Sequence, residues 1–177
     1  RRDDEGGHGG DLASLYREQG RISEALEHYH QALAIARERG DRRSECVNVG
    51  NLGDLFLSQG DQLSAEAYLQ DAIAVGDETW PVAAGAFRGS LALIRAQNEA
   101  FEEARILLAQ GERQLRGVYK LELGKLLCKK AQVEHLAGEP TGAATALAEA
   151  QAIASELNVT PESELGQTLA TARSVVG

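Results

Sequence analysis

The lysines are the most concentrated chemical feature of this 177-residue chain. All four fall between positions 120 and 130, and the segment 113–130 carries six basic residues against one acidic residue, in a chain of formal net charge −9. Lys125 and Lys129 are four residues apart, so on a helix they share one face. Two ammonium groups on one face could attract a carboxylate-bearing segment of a partner, and we hypothesise that they do.

A second interpretation gives the same lysines no partner outside the chain. Lysines on a solvated helix surface can simply balance acidic neighbours, and Lys130 is predicted to pair with Glu134, one turn further on. Exposed charge pairs contribute only about 0.2–1 kcal/mol each. The sequence leaves both interpretations open.

Residue types used in catalysis or metal binding are present but wrongly spaced. His28 and His30 are two residues apart, so on a helix they point in nearly opposite directions and cannot chelate one ion. Cys46 and Cys128 lack metal-ligand spacing and are expected to be reduced thiols. The glycines at 6–10 follow no strand and precede no Gly-Lys-Ser/Thr, so they favour a frayed terminus over a phosphate loop. We expect no enzyme, no cofactor and no metal.

Charge and hydropathy exclude further classes of partner. With 27 acidic and 18 basic residues, the chain repels phosphate backbones, so nucleic-acid binding is not expected. No apolar run approaches the ~20 residues that span a bilayer, and no signal peptide is visible. We therefore expect no membrane contact and a cytoplasmic location. The chain starts at Arg1 and contains no methionine, so it is expected to be a fragment of a longer protein.

One pattern of residues recurs four times along the chain and predicts the helices on which these side chains lie. An alanine returns every 39–40 residues, and other columns keep its register. Apolar residues at helical spacing, separated by a short turn, predict a helical hairpin that must stack on its neighbours to bury its apolar face. The alanine column is Ala25, Ala65, Ala104 and Ala143; the leucine column, thirteen residues earlier, is Leu12, Leu52, Leu91 and Lys130; the small column beside it is Ala13, Gly53, Ala92 and Ala131.

This pattern resembles the tetratricopeptide repeat. The second copy carries the motif as Leu52-Gly53, Phe56, Gly60, Ala65 and Ala72. The third and fourth copies depart from it, with Arg95 and Glu134 in the aromatic column. The period exceeds the usual 34 or so residues, and in this the chain is similar to Pins-type adaptors and to repeat tails of large bacterial signalling proteins.

The resemblance implies an all-α fold, a right-handed α-solenoid of four hairpins plus a C-terminal capping helix. We expect one domain over 1–177, with repeats at about 5–40, 41–76, 81–116 and 118–157. The second hairpin should end near 75, followed by a loop at 76–81. The capping helix is predicted over 161–175, with Thr160 as its N-cap and Leu165, Leu169 and Val175 or Val176 facing inward.

The family pattern also implies which residues face a concave groove on the first helix of each hairpin. In related repeats an asparagine at the position of Asn51 hydrogen-bonds the backbone of an extended peptide, although a merely solvated asparagine is an equal alternative. Gly50 and Gly89 are expected to leave room for a partner's main chain. The family's carboxylate clamp is not expected, since Gly10 and Ser14 stand where it needs Lys and Asn. The candidate peptide-binding residues are Arg17, Asn51, Asp54, Ser90, Gln97, Lys125, Lys129 and Gln132.

The sequence thus favours a non-catalytic module that binds an extended peptide or helix of a partner protein, with Lys125 and Lys129 drawing in an acidic segment and Asn51 securing its backbone. Such a module would belong to a larger adaptor or signalling protein. The alternative is a structural repeat domain that assembles into a homo-oligomer. A small-molecule receptor or an enzyme that carries no known motif is the third hypothesis.

Overall fold

The structure is a computed structural model that describes residues 12–17 and 19–177. This part of the chain contains nine helical segments and no strand, so the predicted all-helical repeat fold is confirmed. The expected fraying of Gly6–Gly10 lies outside the described residues. The helices are α1 (helical residues 12–17), α2 (Ile22–Arg39), α3 (Arg42–Ser58), α4 (Gln62–Thr79), α5 (Pro81–Gln97), α6 (Phe101–Leu115), α7 (Lys120–Leu136), α8 (Pro140–Glu156) and α9 (Glu164–Val176).

The helices form hairpins because each pair is joined by one residue in the left-handed region. Gly20, Gly60 and Gly138 have φ values of 72°, 78° and 75°, which glycine adopts without steric cost. The alanine column lies in the contact between helices, and all four of its members are 0% exposed. The register read from the sequence is therefore the register of the packing.

The third hairpin departs from this rule at Glu99. Glu99 occupies the glycine column and has a φ of 62°, a conformation that costs an L-residue about 1–2 kcal/mol. Its backbone N–H still donates to the carbonyl of Ala96, so the turn is made as in the other hairpins. The turn is thus formed against the preference of the residue that makes it.

Replacing Glu99 with glycine should therefore stabilise the protein. We expect Glu99→Gly to raise the free energy of unfolding by about 1 kcal/mol, measured by urea denaturation. Glu102→Gly, in the first turn of α6, is the matched control and should lower it by a similar amount. If Glu99→Gly lowers the free energy of unfolding as Glu102→Gly does, the turn at Glu99 is not strained.

Two helix ends differ from the predictions. α4 continues to Thr79, and only Trp80 separates it from α5, so the predicted loop at 76–81 is absent. Gly76 suggested a helix end, but it is buried inside α4. A Cβ there would lie 2.9 Å from both the Cys46 sulfur and the Ala84 Cβ, so the glycine serves close helix packing.

α9 begins three residues later than predicted, and its cap is Ser163 instead of Thr160. The Ser163 hydroxyl accepts a hydrogen bond from the Gly166 N–H at 3.1 Å. The backbone around Thr160 folds over Gly166, where a Cβ would lie 2.2 Å from the Thr160 carbonyl oxygen. Leu165 and Leu169 are buried as expected, whereas Val175 is 38% exposed.

The chain divides into two compact units, an N-terminal unit up to Phe87 and a C-terminal unit of Arg88–Gly177. In the N-terminal unit α3 packs on both α2 and α4; in the C-terminal unit α7 packs on α6, α8 and α9. That residues 1–177 make one domain stays a prediction.

The aromatic column explains how the degenerate hairpins hold together. In the N-terminal unit its members stack on the second helix, Tyr16 on His28 at 5.1 Å and Phe56 on Tyr68 at 5.4 Å between ring centroids. In the C-terminal unit ion pairs take this place. Arg95 contacts Glu103 on α6, the second helix of its own hairpin, at 3.0 Å. Glu134 on α7 accepts from Arg105 on α6 at 2.9 Å, so this pair joins the fourth hairpin to the third.

Candidate functional site

The eight predicted groove residues all lie on first helices of hairpins, and in each unit we call the surface that carries them its first-helix face. The N-terminal unit carries Arg17 on α1 and Asn51 and Asp54 on α3; the C-terminal unit carries Ser90 and Gln97 on α5 and Lys125, Lys129 and Gln132 on α7.

In the C-terminal unit, Lys129 reaches from α7 across to α5. Its Nζ donates to the Ser90 hydroxyl at 2.6 Å, and its stem lies over Gly89, where a Cβ would come within 3.0 Å of the Lys129 Cδ. Ser90 is 0% exposed, whereas Lys129 is half-buried. Ser90 therefore positions the ammonium group but cannot itself touch a partner, which corrects the expectation that it lines an open surface.

Lys125 is held by two carboxylates of its own chain. Its Nζ lies 2.7 Å from Glu122 and 3.0 Å from Glu164, and its side chain is only 15% exposed. Burial alone would lower the pKa of Lys125, but the two carboxylates outweigh it and raise the pKa above its ordinary value. The charge of Lys125 is thus largely neutralised before any partner arrives.

The remaining lysines are also paired. Lys120 contacts Glu156, and Lys130 contacts Glu112 at 2.5 Å. The predicted pair of Lys130 with Glu134 is wrong, because Arg105 on the neighbouring α6 occupies that carboxylate. Most of the basic segment is thus balanced by acidic residues of α6, α8 and α9. Among the described residues, Lys129 is the lysine whose ammonium meets a hydroxyl and no carboxylate.

In the N-terminal unit, Asn51 has the features of a binding amide. It is half-buried, and its carboxamide has no hydrogen-bond partner within the described residues. Arg17 and Asp54 are partly exposed and already take part in interactions within the protein. Of the five residues in the C-terminal unit, Gln97 is exposed, and Gln132 makes a long bond of 3.4 Å to the Cys128 carbonyl.

The glycines on this face do not leave room for a partner, contrary to the prediction. A Cβ on Gly50 would lie 2.1 Å from the Phe87 ring, and one on Gly89 would lie 2.8 Å from Leu126. Both glycines are buried, so their space is filled by the next first helix. In each case the large apolar residue follows the glycine by 37 positions, a signal that the sequence contained.

The described residues contain no group of three or more His, Cys, Asp or Glu side chains placed to hold a metal ion. Burial raises the pKa of the Cys46 and Cys128 thiols to about 11, which keeps both protonated and unreactive. A polar cleft of about 340 Å³ lies at the turn ends of α5 and α7, lined by Glu99, Glu103, Arg105 and their neighbours.

Membrane insertion finds no support in the described helices, since none of them is both long and apolar enough to cross a bilayer.

Comparison with known proteins adds a family match and three structural likenesses. Residues 8–78 match the model of the tetratricopeptide repeat family. The crystal structure of BtubC (BKLC) from P. vanneervenii shares 19% identity at a TM-score of 0.67; the alignment covers 88% of this chain and 65% of that one.

A repeat protein from Podosopora anserina, ascribed to the kinesin light chains and built of nearly identical TPR-like repeats, shares 21% identity at a TM-score of 0.62. That alignment covers 95% of this chain and 85% of the other, and a variant of the same protein aligns equally well. At these identities the likeness shows a shared fold. This chain spans about two thirds of the length of the first of these structures.

Proposed function

We propose, on the premise that residues 8–78 belong to the tetratricopeptide repeat family, that this chain is a non-catalytic module that binds an extended peptide or helix of a partner protein on its first-helix face. Repeats of this family generally mediate protein–protein interaction or scaffolding. The module serves a larger adaptor or signalling protein. Its buried free thiols, Cys46 and Cys128, fit a reducing compartment such as the cytoplasm.

Lys129 is the observation that carries the proposal. In a protein of net charge −9 its ammonium group is not paired with a carboxylate, because its partner Ser90 is a hydroxyl. Its stem is held against Gly89, so little side-chain freedom is left to lose on binding. Gln132, one turn later on α7, can add an amide contact. This part of the face suits a peptide segment with an aspartate or glutamate.

Asn51 supports the proposal independently in the N-terminal unit. A carboxamide donates and accepts at once, as does a peptide group, so a single asparagine can bind a main chain without reading its side chains. The absence of an internal partner leaves this amide available among the described residues. Lys129 therefore gives the site its preference for peptides with acidic side chains. Asn51 binds the peptide main chain, whatever the peptide sequence.

Reversing the charge of Lys129 should weaken binding of acidic peptides. We would select peptides from a random display library on the native chain and measure their association rates at low and high salt. Lys129→Glu should slow association about two- to fivefold at low salt and less at high salt, because a charge that is not fully desolvated acts mainly on the encounter rate. Lys120→Glu makes the same charge change at an exposed position paired with Glu156 and should have little effect.

Two outcomes would contradict the proposal. Equal association rates for the Lys129→Glu and Lys120→Glu variants would show that Lys129 does not take part in peptide binding. A library that yields no binder, or only binders without acidic residues, would contradict the proposal that the partner segment is acidic.

A second candidate function is self-assembly. Leu12 and Leu15 on α1 are 37% and 46% exposed, which leaves apolar surface on the first described helix. Sedimentation at rising protein concentration tests this, and a Leu15→Glu variant should abolish any dimer that forms through α1. A monomer at all concentrations would dispose of the candidate.

A further inference from the structure

The last helix, α9, keeps the register of the repeats. Leu169 and Ala170 follow Lys130 and Ala131 by 39 residues, the same step that separates the third and fourth hairpins. Gly177 follows Gly138 by 39 residues and has a φ of 93°, on the same side as the turn glycines. The sequence of α9 is thus that of the first helix of a hairpin.

The contacts of α9 repeat those of a first helix as well. Within the C-terminal unit, Lys129 on α7 binds Ser90 on α5, and Lys125 on α7 binds Glu164 on α9. Both bonds join residues 39 positions apart, so α9 continues the row of first helices formed by α5 and α7. α9 covers the fourth hairpin in the place where a fifth hairpin would begin.

One side of α9 has no cover. In the four hairpins the small column is buried: Ala13, Ala92 and Ala131 are 0% exposed, and a Cβ on Gly53 would lie 2.7 Å from Leu69 on the second helix α4. The equivalent Ala170 is exposed. An alanine column that is buried in every complete hairpin is therefore open in α9.

Arg173 indicates the chemistry of the missing cover. It occupies the aromatic column, in which Tyr16, Phe56 and Arg95 each contact the second helix of their own hairpin. Its nearest counterpart is Arg95, which pairs at 3.0 Å with Glu103, the residue before Ala104. Arg173 is exposed, so an acidic residue on the covering helix could pair with it in the same way.

We propose that α9 is the first helix of a fifth hairpin and that its open side, Ala170 and Arg173, is the docking surface for a second helix that the same polypeptide supplies directly after Gly177. That helix would carry an alanine five residues after Gly177, an acidic residue just before this alanine, and leucine or tyrosine four residues after it. Gly177 has the positive φ of the turn glycines, which in the complete hairpins stand between the first helix and the second.

The test extends the 177-residue chain with a copy of residues 100–116, which places the copied Ala104 opposite Ala170 and the copied Glu103 beside Arg173. The added segment should fold as a helix, seen as increased helicity by circular dichroism and as slowed amide hydrogen exchange in α9. Ala170→Leu should then lower the Tm of the extended chain by about 5 °C through overpacking. In the 177-residue chain, where Ala170 is exposed, the same change should shift the Tm by about 1 °C or less.

A matched control carries the same extension with Ala104→Glu and Leu108→Glu in the added copy alone, and it should gain neither helicity nor protection. An added segment that stays unfolded, or an Ala170→Leu effect equal in both chains, would overturn the proposal. A dimer of the 177-residue chain that Ala170→Leu disrupts would also overturn it, since a second copy would then be the cover.

Discussion

Ala65→Leu is expected to lower the free energy of unfolding by about 1–3 kcal/mol, and Ala104→Leu by a similar amount. Both alanines are 0% exposed in the contact between the two helices of a hairpin. Leucine adds three carbons to a space that is already filled, so the helices must move apart or side chains must leave their preferred rotamers. Urea denaturation of each variant measures the loss.

Ala67→Leu is the control for this experiment. Ala67 lies on the exposed side of α4, so leucine there should change stability by no more than about 0.5 kcal/mol. If Ala65→Leu proves as harmless as Ala67→Leu, the alanine column does not mark the contact between the helices, and the repeat register is wrong.

Glu112→Gln should destabilise the C-terminal unit by about 1–3 kcal/mol at pH 7. The Glu112 side chain on α6 is only 16% exposed and accepts from Lys130 at 2.5 Å and from Arg116 at 3.0 Å. Glutamine keeps the shape but removes the charge, which leaves two cations without the carboxylate between them.

The effect of Glu112→Gln should depend on pH in a fixed direction. Burial tends to raise the pKa of Glu112, but the hydrogen bonds from Lys130 and Arg116 outweigh it and hold the pKa below its ordinary value. A lowered pKa in the folded state stabilises the protein above the unfolded pKa of about 4.3, and this stabilisation is lost as the pH falls through the folded pKa. The gap between native protein and variant should therefore be full at pH 7 and shrink below about pH 4.

Glu103→Gln separates this effect from general loss of charge. Glu103 is 67% exposed and pairs with Arg95 at the surface, so the variant should lose less than about 1 kcal/mol. A gap for Glu112→Gln that stays constant from pH 7 to below pH 4 would contradict the assignment of Glu112 as a charged link between α6 and α7.

The helices could be predicted from sequence because their determinants are local and repeated. The alanine column, the turn glycines at 20, 60 and 138 and the apolar spacing each occur several times, so one weak copy did not hide the pattern. The exceptions are positions where a glycine has a packing role. Gly76 and Gly166 are needed for close approach, which sequence alone does not distinguish from a helix end or a cap.

The contacts made by the site residues were harder to predict, because these side chains contact residues that lie one repeat away in the same chain. Beside Glu122 on its own helix, Lys125 pairs with Glu164, 39 residues further on. The buried Ser90 accepts a hydrogen bond from Lys129, also 39 residues away. A list of groove positions taken from one hairpin cannot show which side chains the next hairpin uses. Aligning successive repeats, and asking which residues 37 or 39 apart are complementary, would have shown both.

The most direct test of the proposed binding face follows side-chain amide signals by nuclear magnetic resonance as a selected acidic peptide is added. The account predicts that the signals of Gln97 and Gln132 move in the C-terminal unit, that of Asn51 moves in the N-terminal unit, and that of Gln70, exposed on the second helix α4, stays in place. The Lys129→Glu variant should reduce the movement of Gln132. Movement of Gln70 with no change at Asn51, Gln97 or Gln132 would place binding on the second helices and contradict the account.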